Sequence, residues 1–262
     1  HGTNRRQRQM CIRDSPNSLG AQDYIFLTIK SPALLPSLKN IKPLLGENTT
    51  IITCMNGIPH WYFHKLDNKY ANYKIKCLDP NLLIDTILPP DNIVGSVVYP
   101  ACEIVKPGTI KHIAGNRFSL GEPEGSESDR LKFISDILKR AGFRAPIQKN
   151  IRDEIWLKLI GNLSFNPISA LTGATLEQIC NDQGTEAIVR AMMTEAKIIA
   201  EKLGAKINMS IEKRIDGARK VGAHKTSMLQ DIEAGKPIEI DSIIIAVKEL
   251  GELTCSPTPY IN

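Results

Sequence analysis

A strand, a helix and a second strand follow one another between residues 24 and 55, and this pattern constrains the fold most. Residues 24–29 form a short continuous apolar run, which is typical of a strand covered on both faces of a parallel sheet. Leucines and isoleucine at helical spacing occupy 34–45, and 49–55 is a second β-branched run closed by Asn56 and Gly57. Two strands joined through a helix form the right-handed crossover of an α/β sheet.

The pattern changes near residue 150, where the strand signal ends. Ahead of that point we predict strands over 93–99, 109–120 and 144–147 and a helix over 127–141, while 58–92 has no assignment. Beyond it we predict four helices, over 151–171, 185–203, 210–234 and 239–250. The fold class is therefore α/β, with an incomplete Rossmann-type parallel sheet domain over 21–150 followed by an all-α C-terminal domain over 151–262.

Residues 1–20 differ from both domains because they are rich in arginine, poor in aliphatic residues and without periodicity. We expect this segment to be disordered or foreign to the fold. The alternative is a genuine basic tail.

Composition argues against several classes of function. The 33 basic and 28 acidic residues are interleaved, so no basic face for nucleic acid is indicated. The six cysteines form no Cys-x-x-Cys pair and have no histidine at a zinc-ligand spacing, so we expect no metal site and reduced thiols in a cytoplasmic protein. No apolar stretch approaches the roughly 18 residues of a membrane span, and there is no apolar core of a signal peptide.

Three polar residues interrupt the otherwise apolar helix predicted over 151–171. Lys158, Asn162 and Asn166 are spaced four residues apart, so they share one helix face. An ammonium and two carboxamides in a row suit a ligand rich in oxygen atoms, such as a keto acid. Pro167 is expected to kink the helix near Asn166. The alternative is a solvated surface stripe, for which asparagine is a poor choice because it is an indifferent helix former.

Two further groups of residues are candidates for binding. Residues 224–241 combine hydroxyls such as Ser227 with carboxylates such as Glu239, although helix capping and an exposed helix surface are the favoured explanation of such a set taken by itself. Lys30 and Asn56 directly follow the first two predicted strands, where ligands bind in open parallel sheets. Ordinary turns are the alternative for both.

Together these segments resemble the ketopantoate reductase family. The resemblance covers about residues 23–259 and rests on motifs in the right order and at roughly the right spacing. The motifs are LTIKS with Lys30, CMNGI with Asn56, GSVVYPA, IRDEIWLKLIGNLSFNPISAL, HKTSMLQDIEAGKPIEID and the final TP.

This resemblance implies reduction of 2-dehydropantoate (ketopantoate) to pantoate with NADPH, on the way to pantothenate and coenzyme A. It implies that Lys158 is the general acid, that Asn162, Asn166, Ser227 and Asn56 bind substrate, and that Lys30, Asn56, Ala101 and Glu239 contact cofactor. His224 stands where some relatives carry a substrate-binding asparagine, so its role stays open. A homodimer is plausible for a helical substrate domain of this kind.

The sequence departs from the family at the N-terminus. The family's Gly-x-Gly-x-x-Gly loop holds the pyrophosphate of the cofactor, and no such loop occurs in this sequence. We therefore expect weak NADPH binding and impaired activity for the chain as it stands. The residue that selects NADPH over NADH belongs to the same region, so this preference is not decided by the sequence.

Two rival functions stay open. A similar two-domain plan serves reductases of other branched 2-keto acids and opine-type dehydrogenases, which substrate profiling separates from a ketopantoate reductase. A non-catalytic module descended from the enzyme is the second rival, because a shared fold does not guarantee a shared function.

Overall fold

The structure is a computed structural model that describes residues 15–106 and 108–262. Most of the segment expected to be disordered or foreign therefore lies outside the described residues. Its last part is described and forms a short 3-10 turn over Pro16–Ser18, with mostly exposed side chains, ahead of the first strand. The domain limits at residues 20 and 150 stay predictions.

The predicted crossover is confirmed. Strand β1 (Tyr24–Leu27) leads through helix α1 (Leu34–Ile41) to β2 (Thr50–Thr53), and the short α2 (Leu83–Ile87) precedes β3 (Ile93–Val98). These three strands pair in parallel in the order β1-β2-β3. Strand β1 lies at the edge of the described sheet. It is not covered on both faces as expected, because the side chain of Phe26 is 42% exposed.

The strand predicted over 109–120 is wrong as a single element. Strands β4 (Ala101–Lys106) and β5 (Thr109–Ala114) form a separate, mostly exposed hairpin, and the chain turns at Gly115 with a φ of +72°. Strand β6 (Phe118–Gly121) then joins the main sheet antiparallel to β3. The strand predicted over 144–147 makes only isolated bridges beside β6, and the predicted helix over 127–141 is α3 (Asp129–Arg140).

The unassigned residues 58–92 contribute to the core instead of forming a surface insertion. Trp61, Tyr62 and Phe63 are almost completely buried, and the Tyr62 and Phe63 rings meet edge to face at 4.9 Å. The Trp61 indole donates to Thr53 Oγ1 at 3.0 Å, and the Trp156 indole donates to the Tyr62 hydroxyl at 2.7 Å. This segment therefore joins the sheet to the first helix of the C-terminal domain.

The helical C-terminal domain is confirmed, with different internal breaks. Its helices are α4 (Ile151–Thr172), α5 (Leu176–Asn181), α6 (Gln183–Lys202), α7 (Ile211–Val221), α8 (Ser227–Glu233) and α9 (Ala246–Leu253). The helix predicted over 210–234 is divided at Gly222, where φ is +80°. A π-helical turn over Asp241–Ile245 precedes α9. Among the described residues, no helix has the length and apolar character needed to cross a membrane.

Helix α4 is the element that connects the two domains. It contacts β3 and β6 of the sheet and α5, α6 and α8 of the helical domain. The Asn150 side chain caps its first turn by accepting from the backbone N–H of Arg152 at 3.3 Å, and the helix continues through Pro167. A single buried apolar cluster includes residues of both domains, from Ile25 to Ile261.

Candidate active site

Lys158 on α4 faces the carboxyl ends of the parallel strands. Its ammonium donates to Asn56 Oδ1 at 2.7 Å and to the backbone carbonyl of Val98, the last residue of β3. The same nitrogen lies 5.6 Å from the centre of the Tyr99 ring. The alternative of a solvated surface stripe is therefore wrong for Lys158, because its head group is held between α4 and the sheet.

The environment of Lys158 lowers its pKa to about 8 from the ordinary value of 10.5. Burial is the main cause, since it disfavours the charged amine. The Glu239 carboxylate opposes this change, and the nearby Arg214 guanidinium adds to it. An amine with a pKa near 8 can both hold and release a proton close to neutral pH.

A buried carboxylate ties the strand ends to the helical domain. Glu239 accepts from Asn56 Nδ2 at 3.2 Å and, more weakly, from the backbone N–H of Ser31 at 3.4 Å. Lys30 reaches across in the same direction and forms an ion pair with Asp231 of α8. The alternative of ordinary turns is therefore insufficient for Lys30 and Asn56, since both side chains bond to the other domain.

A cleft with an empty volume of about 690 Å³ lies beside these groups. Its polar lining includes Asn56, Lys158 and Asn162, so two of the three residues on the predicted helix face reach it. Most of the remaining lining is apolar, contributed among others by Leu34, Met55, Ile58, Trp61 and Val97. An apolar cleft with a few convergent polar groups is the usual form of a small-molecule site.

The other predicted residues lie outside the lining of this cleft. Asn166 is buried and its Nδ2 has no hydrogen-bond partner among the described residues. Ser227 is exposed in the first turn of α8, while Thr226 caps that helix. Ala101 begins β4 and pairs with Ala114. His224 is exposed in the connection before α8, and the roles of all these residues stay predictions.

Sequence reasoning missed three residues around Lys158. Tyr99 follows β3, Glu154 lies one helical turn before Lys158, and Arg214 of α7 packs against Gly161. The sequence contained a pattern that points to two of these residues. The rule that placed Lys30 and Asn56 after the first two strands also points to Tyr99 after the third, and Glu154 shares the helix face of Lys158 by its four-residue spacing.

Two protein-family models match most of the chain. The family described as ketopantoate reductase PanE/ApbA matches residues 1–125, and its C-terminal family matches 150–262. A 2-dehydropantoate 2-reductase of Mesorhizobium japonicum is 50% identical over 93% of this chain and 75% of its own length.

Solved structures show the same similarity. A candidate ketopantoate reductase from Ralstonia solanacearum superposes with a TM-score of 0.90 at 39% identity, over 94% of this chain and 75% of that one. A dimeric ketopantoate reductase from Staphylococcus aureus, 21% identical over 92% of this chain and 74% of that one, has a TM-score of 0.71 and supports the fold alone.

A parallel sheet whose strand ends face a half-buried lysine of a helical domain is the arrangement expected of a two-domain oxidoreductase. With family matches over most of its length and a relative at 50% identity, the chain belongs to the ketopantoate reductase family.

Proposed function

We propose that the protein reduces 2-dehydropantoate to pantoate with NADPH. The observation that carries this proposal is the ammonium of Lys158, which is partly desolvated, has a pKa lowered to about 8 and lies at the carboxyl ends of three parallel strands. This is where a keto group and a nicotinamide would meet in such a fold.

The residues at the strand ends fit the nicotinamide side of such a cofactor. Lys30, Asn56, Ala101 and Glu239 would hold it, and the cleft beside Asn56 offers the apolar walls that a flat ring requires. The sequence has no Gly-x-Gly-x-x-Gly segment for the pyrophosphate, so weak binding by this chain stays our expectation. When bound, NADPH supplies the hydride for the keto carbon.

Lys158 would act on the keto oxygen. Asn56 Oδ1 and the Val98 carbonyl orient two of its three N–H groups, which leaves the third for the substrate. The ammonium stabilises the negative charge that develops on the oxygen and then gives a proton from Nζ to it. The product is a hydroxy acid, and the neutral amine regains its proton from water.

The remaining residues would bind the substrate. Asn162 lines the cleft one turn beyond Lys158, so its carboxamide can hold the keto acid beside the ammonium. Asn166 Nδ2 has no partner in the part of the chain that the structure describes, and this supports the same function, because such a buried donor is costly unless a ligand or water completes it. Ser227 would bind the substrate carboxylate if the connection before α8 moves towards the cleft.

Replacing Lys158 by alanine tests the proposal. The assay follows NADPH loss with ketopantoate, using the chain and a chimera that adds the residues preceding the matched segment of the Mesorhizobium relative. We expect Lys158→Ala to reduce kcat by about 100-fold or more, since general acid catalysis contributes on that order. A control at the partly exposed Lys197 of α6, Lys197→Ala, should leave it unchanged. Equal turnover in both variants would contradict the role of Lys158, and a chimera without any turnover before substitution would favour the non-catalytic module.

Substrate profiling addresses the finer assignments. Ketopantoate should have a kcat/KM at least about ten times that of longer branched 2-keto acids, which is the discrimination that a difference of one or two methylene groups allows. Better turnover of another keto acid would favour the first rival function, which is reduction of another branched 2-keto acid. We also propose a homodimer in the cytoplasm, for which light scattering of the purified protein is the test of assembly.

A further inference from the structure

Glu154 is the centre of a hydrogen-bond group that links α4 to the sheet beside Lys158. Its Oε2 accepts from the hydroxyls of Tyr99 at 3.1 Å and Ser119 at 3.0 Å. Its Oε1 accepts from the Arg117 guanidinium at 2.7 Å. The carboxylate is 12% exposed, so these bonds form in a partly dry environment where they hold their geometry well.

Tyr99 connects the hydrogen-bond group of Glu154 to Lys158. It follows the Val98 carbonyl that accepts from the ammonium, and its ring centre lies 5.6 Å from the same nitrogen. A ring face at this distance attracts a cation and also keeps water from it. Burial and the Glu154 carboxylate raise the pKa of Tyr99 to about 12, so its hydroxyl stays protonated and donates at neutral pH.

The geometry of helix α4 places Glu154 and Lys158 next to each other. They lie one turn apart on the same face of α4, and both bond to residues at or beside the end of β3. Among the described residues, the Glu154 carboxylate accepts from three donors of the α/β domain, and of these three Tyr99 also lies beside the reacting amine.

We propose that Glu154 is a positioning residue that acts through Tyr99 to hold the ammonium of Lys158 in place and shield it from water. This inference rests on the proposed role of Lys158 as the acid. Without the carboxylate, the Tyr99 ring would be released and water would reach the ammonium. Losing the ring removes an attraction for the cation, which lowers the pKa of Lys158. It also weakens burial, which is the largest cause of the lowered pKa, and this larger effect would make the pKa rise.

The test is an NMR titration of the lysine side chains of the chain labelled with ¹³C at Cε, in which Lys158 is assigned from its loss in Lys158→Arg. We expect Glu154→Ala to raise the pKa of Lys158 from about 8 by about one pKa unit towards 10.5. Glu154→Gln should keep a value near that of the unmodified chain, because its amide oxygen still accepts from Tyr99.

A matched control is the buried Glu122, which pairs with Arg130 at 2.6 Å next to the same strand β6. Glu122→Ala should leave the pKa of Lys158 unchanged. An unchanged pKa in Glu154→Ala, an equal rise in Glu154→Gln, or an equal rise in Glu122→Ala would each overturn the proposal. Should Glu154→Ala not fold, Tyr99→Phe replaces it, with a rise expected and no change counting against us.

The titration requires neither cofactor nor substrate. Its result is therefore independent of whether the protein reduces ketopantoate. A chain with the expected pKa pattern, together with a folded chimera that shows no reductase activity, would contradict the proposed function and leave the positioning contact in place.

Discussion

At the scale of single residues, burial determines the chemistry of this site. Lys158 would be an ordinary surface ammonium on a solvated helix, and its pKa falls to about 8 because α4 packs it against the sheet. The opposite charge of Glu239 limits the fall, so the amine still carries its proton at neutral pH. Burial and one carboxylate together give an acid suited to proton donation near neutral pH.

We expect His60 to make the stability of the folded protein depend on pH. It is buried, neither ring nitrogen has a hydrogen-bond partner within residues 15–106 and 108–262, and burial lowers its pKa to about 4 from 6.5. The unfolded chain therefore binds this proton more readily, so stability present above pH 6.5 is lost as the pH falls towards 4, by roughly 3 kcal/mol in total.

Replacing His60 by leucine should remove this loss. Urea unfolding of the variant between neutral pH and pH 4 is expected to show a free energy of unfolding that falls less steeply than that of the unmodified chain. His224→Leu is the control at an exposed histidine and should keep the steeper fall. Parallel curves for His60→Leu and the unmodified chain would contradict the assignment.

At the scale of elements, close approaches between the strand ends and the helical domain fix the position of Asn56. The backbone N–H of Ile58 donates to the carbonyl of Ser242 at 2.8 Å, directly beyond Gly57. A side chain at Gly57 would place Cβ 2.5 Å from that carbonyl oxygen, and the residue also has a φ of +85°. Glycine is therefore required here for both conformation and space.

Gly57→Ala tests this requirement. We expect it to lower the free energy of unfolding by about 2 kcal/mol or more, because backbone strain adds to the contact with Ser242. Gly142→Ala is the matched control, since Gly142 has a φ of +92° but nothing within 4 Å of the added Cβ. It should lose only the strain, about 1 kcal/mol. Equal losses in urea unfolding would mean that the contact is unimportant.

At the scale of the whole molecule, the two domains share one apolar cluster and several polar contacts. The cluster includes residues of both domains, and Lys30–Asp231, Asn56–Glu239 and Lys158–Val98 cross between them. The active-site candidate therefore exists only while both domains are folded and in contact.

A shared core predicts a single unfolding transition. Fluorescence of Trp61 and Trp156, which lie where the domains meet, should change at the same urea concentration as the far-ultraviolet circular dichroism of the C-terminal helices. Coincident curves are the usual sign of one cooperative unit. Two separate midpoints would show that the helical domain is stable without the sheet.

Much of the fold was predictable because it depends on local pattern. Hydrophobic periodicity located β1, β2, β3, α3, α4 and α6, and the order of elements gave the fold class. The incorrect predictions occur where a short break divides a segment that the hydrophobic pattern presents as one element. Gly115 divides one apparent strand into members of two sheets, and Gly222 divides one apparent helix.

The candidate site was predictable in part. Helical spacing placed Lys158 and Asn162 on one face, and the rule for strand ends selected Lys30 and Asn56. The bond of Asn56 to both Lys158 and Glu239, and the ring of Tyr99 beside the ammonium, join residues that are far apart along the chain. Spacing within one element carries no information about such contacts.

By itself, the sequence determined which segments are strands and helices and which of them carry the reactive groups, because both depend on residues a few positions apart. Only the tertiary structure decided that the amine of Lys158 is partly desolvated, has a lowered pKa and is bonded to Asn56, since desolvation and charge depend on every element packed around the group. The bond between Lys158 and Asn56 connects residues 102 positions apart, and a pattern within one element cannot predict such a contact.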